Sequence, residues 1–107
     1  MLELNSPLTF SSSVQPIALP SNGQNFETQS CAITGWGRTC GTCGLPNSLM
    51  ELMTTVIPNS ECQTRMTGIS GVSITNSHIC VQNGDTADGS CNGDSGGPMA
   101  CWVNNSP

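Results

Sequence analysis

The stretch Ser90-Cys91-Asn92-Gly93-Asp94-Ser95-Gly96-Gly97-Pro98 decides how the rest of this chain is read. A serine set between an acid and a glycine, shortly after a cysteine, is what a strained turn needs to present a reactive hydroxyl. Gly93 has no side chain, so its backbone N–H can approach a ligand oxygen closely. That N–H and the one on Ser95 can point into one concavity and stabilise an oxyanion. On this reading Ser95 is a nucleophile and Gly93 an oxyanion donor.

The composition around the loop favours short strands joined by turns. In 107 residues there are 12 glycines, 7 prolines and no tyrosine, and helix formers are sparse. One domain of modest size is the expectation at this length. Charged residues make up 8% of the chain, with two basic side chains and a net charge of −5. No electrostatic footprint for phosphates exists, which excludes a nucleic-acid partner. No apolar run approaches the roughly 18 residues of a membrane span. Seven cysteines point to an oxidising, extracellular setting, and their odd number leaves at least one without an internal partner. Yet Met1-Leu2-Glu3-Leu4-Asn5 has neither the basic nor the apolar region of a secretory leader. The two observations are reconciled if the sequence is part of a longer secreted protein.

Residues 1–29 read as an extended segment, with Asn5-Ser6-Pro7, Ser11-Ser12-Ser13 and Pro16 against a helix and a turn at Leu19-Pro20-Ser21-Asn22-Gly23. Strands are expected at Ser30–Trp36, Met50–Ile57, His78–Gln82 and Pro98–Val103, each bounded by Gly, Pro, Asn or Ser. A short helix is expected between Pro58 and Thr67, capped by Asn59 or Ser60, with Ser60 and Gln63 at capping-box spacing.

The nucleophile loop closely resembles that of the chymotrypsin-like serine endopeptidases. Further segments resemble the second half of that family in order: Leu4-Asn5-Ser6-Pro7-Leu8 and Val14–Pro20, Cys31-Ala32-Ile33-Thr34-Gly35-Trp36-Gly37, Leu45-Pro46, Pro58-Asn59-Ser60-Glu61-Cys62, Ile79-Cys80 and Pro98-Met99-Ala100-Cys101. The likeness covers nearly all of this chain and about half of a family member. It implies an all-β fold, an antiparallel six-stranded Greek-key β-barrel of the trypsin-like serine protease type. Residues 30–107 would be a truncated C-terminal barrel and residues 1–29 the interdomain connector.

In that family a histidine, oriented by a buried aspartate, activates the serine. The resemblance implies Ser95 as nucleophile, Gly93 as oxyanion donor and Asp94 as the carboxylate that orders the loop. The histidine and its aspartate fall outside these residues. The single histidine, His78, lies in a variable stretch and reads as an exposed residue entering a strand. Gly89, Ser90 and Asn92 match substrate-binding positions. Gly89 at the pocket floor carries no charge, which implies apolar primary specificity; Asp88 is one position off register. Asp94 pairs in the family with an amine that this chain lacks. A buried, unpaired carboxylate is costly, so the oxyanion site is expected not to form in this chain alone.

The resemblance also implies disulfides joining Cys31 to Cys101 and Cys62 to Cys80, with Cys91 the orphan. Cys40-Gly41-Thr42-Cys43 reads as a local disulfide, or as bonded to cysteines elsewhere. A redox reading of this C-x-x-C, or a zinc site with His78, has no supporting context. No metal or cofactor is expected. Trp36 and Trp102 read as core or wall residues, and Met50, Met53, Met66 and Met99 as core filler. Asn104-Asn105-Ser106 is a glycosylation triplet weakened by Pro107.

The function implied is serine-type endopeptidase, acting on protein and peptide substrates and meeting serine protease inhibitors. The alternative is a naturally truncated, non-catalytic homologue serving as a binding module or decoy. The presence of Asp94-Ser95 favours the enzyme.

Overall fold

Ser30-Cys31-Ala32-Ile33-Thr34-Gly35 and the β-branched end of Met50–Ile57 form the two long strands on which the molecule is built. In the computed structural model, residues 1–84 and 88–107 are described. The strands are β1 (Ser30–Gly35), β2 (Met50–Ile57), β3 (Cys80–Gln82) and β4 (Met99–Cys101), with one helix, α1 (Asn59–Arg65), between β2 and β3. They form one antiparallel sheet in the order β3-β2-β1-β4. The register pairs Cys31 with Thr54 and with Cys101. On the other side of β2, Ile57 pairs with Cys80.

The all-β, antiparallel expectation holds. Among the described residues the sheet has four strands and is not closed, so of the truncated six-stranded barrel that was expected only the antiparallel sheet is present. Closure needs a pairing partner at both edges, and β3 and β4 each pair on one side only. Both are three residues long, which keeps the free edges short. The strands expected at 78–82 and 98–103 are thus trimmed at their ends, while that at 50–57 matches its expected bounds.

Period-two alternation places the core. Cys31, Thr54 and Val56 lie on one face of the sheet and are buried, and the Thr54 hydroxyl donates to the Cys31 carbonyl at 3.3 Å. Ala32, Gly37, Ile57 and Cys62 complete the buried set among the described residues. Met53 shares a face with Ala32 and stands 45% exposed, and Trp36 is 56% exposed. Neither is the core residue that its type predicts, although Ala32, on the same face as Met53, is buried.

The helix also departs from expectation at its start. Pro58 holds the N-cap position and no side chain caps the first turn. Asn59 instead donates Nδ2 to the carbonyls of Thr75 and His78, at 3.0 and 3.2 Å. Gln63 accepts the Ile74 N–H at 2.7 Å. Both polar side chains are spent on tying α1 to the 74–78 turn. Among the described residues, no helix is long and apolar enough to cross a membrane.

Residues 1–29 carry no helix or strand, only an isolated bridge between Ser11 and Val14. Their far end is fastened to β2: Thr28 N–H donates to Val56 O at 2.9 Å, and Val56 N–H to Gln29 O at 3.0 Å. Ile17, Leu19 and Phe26 line an apolar cleft of about 320 Å³ with Ile79 and Met99.

Candidate active site

Two consecutive turns build the loop that enters β4. The N–H of Asp94 donates to Cys91 O at 3.0 Å, and that of Gly97 to Asp94 O at 2.9 Å. The third residue of each turn is a glycine with positive φ, Gly93 at 108° and Gly96 at 83°. A turn of this type admits little else at that position. Ser95 sits at the second position of the second turn and is exposed.

Asp94 anchors the pair of turns. Its Oδ1 accepts the N–H of Gly37 at 2.8 Å, and its Oδ2 that of Cys91 at 3.0 Å. The carboxylate lies so close to the chain leaving β1 that a Cβ on Gly35 or Gly37 would overlap it. A third tie comes from Arg38, whose N–H donates to Asn92 O at 2.9 Å. The unpaired, buried carboxylate expected from the sequence is therefore not what the fold presents. Asp94 is half-buried, and each of its carboxylate oxygens accepts a backbone N–H. Gly35 and Gly37 are the residues that sequence reasoning left out of the site. Their signal was two glycines one residue apart at a strand end, which marks a close backbone approach.

The N–H groups of Gly93 and Ser95 donate to nothing among the described residues, so both remain available to an incoming oxygen. Gly89 and Ser90 line a cleft of about 470 Å³ with Asp88, Cys91, Asp94 and Arg38; Asn92, in the first turn of the loop, is not among its lining residues. Asp88 accepts from Asn83 Nδ2 at 3.4 Å.

His78 is not brought to Ser95. It lies two residues before β3, whereas Ser95 lies four before β4, on the other edge of the sheet. Since β3 and β4 run in opposite directions, their entry points are also at opposite ends. The His78 Nδ1 instead accepts the N–H of Thr75 at 3.1 Å.

Three disulfides are formed, Cys31–Cys101, Cys62–Cys80 and Cys40–Cys43. The first staples β1 to β4, the element that the loop enters. Cys91 is a free, half-buried thiol. The C-x-x-C pair is bonded to itself, and no group of three or more metal-ligating side chains occurs among the described residues.

The family model described as trypsin matches residues 1–105. A fibrinolytic enzyme, isozyme C, of Lumbricus rubellus is 40% identical over 102 residues, covering 94% of this chain and 42% of that protein. Trypsin-2 of Salmo salar is 34% identical over 101 residues, covering 94% of this chain and 42% of that protein. Serine protease filzig of Drosophila melanogaster is 36% identical over 100 residues, 92% of this chain and 6% of that protein. The chain thus spans less than half the length of each of these relatives.

Proposed function

The chain belongs to the trypsin family, and from that membership we propose that it forms the nucleophile-bearing part of a secreted serine endopeptidase. Ser95 Oγ attacks the scissile carbonyl, the amine half of the substrate leaves, and water releases the acyl-enzyme. The N–H groups of Gly93 and Ser95 take the negative charge that develops on the carbonyl oxygen. Asp94 orders the loop. The observation that carries this reading is the anchoring of Asp94 on Gly37 and Cys91, which holds two glycine turns and leaves Ser95 exposed.

Gly89, Ser90 and Asn92 contact substrate, and the absence of a charge at Gly89 favours protein and peptide chains with apolar side chains at the cleavage site. Serine protease inhibitors are the other partners that such a site fits. Three disulfides support an extracellular location.

The base that takes the Ser95 proton, and the acid that orients it, lie outside these residues, because His78 is at the far end of the sheet. The 107 residues alone are accordingly expected to turn over peptides poorly. Residues 1–29 are the connector between two barrels and residues 30–107 belong to the second. The sheet of four strands is part of a six-stranded Greek-key barrel. Support comes from an apolar cleft that Ile79, beside β3, lines together with Met99, Ala100 and Cys101 of β4, so that residues of both sheet edges face one space.

A serine-directed phosphonate applied to the full-length protein tests the reading. Labelling is expected on Ser95, and Ser95→Ala is expected to lower peptide turnover by roughly 10⁴-fold or more without changing the fold. An unlabelled Ser95 in a protein without turnover would overturn the enzyme in favour of a non-catalytic binding module or decoy, and turnover that survives the substitution would remove Ser95 as the nucleophile.

A further inference from the structure

The nucleophile loop holds a second reactive pair, one that peptide hydrolysis does not use. Asn92 is followed directly by Gly93. An asparagine before a glycine is open to attack by the next backbone nitrogen, because glycine has no Cβ to shield it. Both residues are exposed. Neither the Asn92 side-chain amide nor the Gly93 N–H has a partner among the described residues. The surrounding backbone, in contrast, is held: Asn92 O accepts from Arg38, and Cys91 O from Asp94.

The chain has two other Asn-Gly pairs, and they make a useful contrast. Asn83, before Gly84, has its Nδ2 engaged by Asp88 Oδ2 at 3.4 Å. Asn22, before Gly23, is exposed in a turn of the 1–29 segment, closed by Gln24 N–H on Ser21 O at 3.1 Å. Asn22 is therefore as open to the reaction as Asn92, but it stands in a separate turn that contributes nothing to the loop around Ser95.

We propose that Asn92-Gly93 is a site of spontaneous covalent modification, placed where the reaction alters the backbone that carries an oxyanion donor. The Gly93 nitrogen gives up its proton and bonds to Asn92 Cγ. The bond from Cγ to the side-chain nitrogen breaks, and ammonia leaves carrying that proton. Water then opens the five-membered ring at either carbonyl, giving aspartate or isoaspartate. No oxidant, reductant or enzyme is required. In the ring form the nitrogen of residue 93 has no hydrogen to donate. In the isoaspartate form the main chain gains a methylene between residues 92 and 93, and a new carboxylate stands beside the oxyanion position. Either form weakens the stabilisation of developing negative charge. The effect on turnover rests on the reading of Ser95 as the nucleophile; the covalent step does not.

The test is incubation of the full-length protein in warm, mildly alkaline buffer. Peptide mass mapping follows Asn92 and Asn22 side by side, and ester hydrolysis is expressed per intact chain so that self-cleavage is not counted. Activity is expected to fall in proportion to the fraction of Asn92 present as the ring or as isoaspartate. Asn22→Gln is expected to abolish conversion in the connector turn and leave both the starting activity and its decay unchanged. Asn92→Gln, whose longer side chain would need a six-membered ring, is expected to hold whatever activity it begins with. An intact Asn92 in a sample whose Asn22 has converted would overturn the proposal, as would full conversion of Asn92 to the ring or isoaspartate with undiminished turnover. Conversion at Asn92 in a protein with no activity at the outset would leave the modification site standing and remove the nucleophile reading instead.

Discussion

Gly37 and Asp94 show how much of the loop depends on an atom that is missing. A methyl group at residue 37 would overlap the Asp94 carboxylate, so either the side chain or the turn that carries it has to move. Gly37→Ala is expected to cost about 1–3 kcal/mol in denaturant unfolding, as overpacking does elsewhere. In the full-length protein it should also lower kcat, because Ser95 follows Asp94 directly. Asp94→Ala should cost a comparable amount, about 1–3 kcal/mol, by leaving the N–H groups of Gly37 and Cys91 without an acceptor. A wild-type unfolding midpoint for either variant would contradict this account of the loop. The loop that carries Gly93, Asp94 and Ser95 was legible in the sequence because its glycines are spaced as two consecutive turns require. The partners of Asp94 were not. One of them is a backbone N–H 57 residues away, and a backbone donor leaves no mark in the identity of the residue that supplies it.

At the scale of elements, α1 tests whether local signals or tertiary contacts fix a helix start. The capping-box spacing of Ser60 and Gln63 suggests that Ser60 matters, yet no side chain caps this helix. Ser60→Ala is therefore expected to change stability by no more than about 0.5 kcal/mol, the range of an unremarkable surface change. Asn59→Ala removes two hydrogen bonds to the 75–78 turn and is expected to cost about 1–2 kcal/mol. Urea midpoints of the two variants separate the cases, and equal losses would restore the capping view. The positions of β2 and α1 were readable because Pro58 separates a β-branched run from a polar one. The inward and outward faces were less so. Met53 and Trp36 have core-forming side chains, but burial depends on what covers a face, and that is not a property of the strand.

For the whole molecule, the order β3-β2-β1-β4 explains why the disulfides matter unequally. Cys31–Cys101 closes a separation of 70 residues and ties β4, a short edge strand, to the centre of the sheet. The chain-entropy estimate gives about 4 kcal/mol for a loop of that length and about 2 kcal/mol for a ring as small as Cys40–Cys43. Replacing both members of the first pair by alanine should therefore unfold the chain at much lower denaturant than replacing both members of the second. The free edges at β3 and β4 lead to a different expectation: the 107 residues alone should associate as their concentration rises, because unpaired strand edges recruit partners. A concentration-independent sedimentation coefficient would count against it. By itself, the sequence determined the antiparallel all-β class, the strand order along the chain, the family and the loop that presents Ser95. Each of these is written in local periodicity, turn residues or contiguous spacing. Only the tertiary structure decided that Asp94 is satisfied by Gly37 and Cys91, that Met53 and Trp36 face outward, and that His78 and Ser95 enter the sheet at opposite corners. Those outcomes depend on which strands become neighbours and in which direction they run, and pairing across the sheet joins residues that are far apart along the chain.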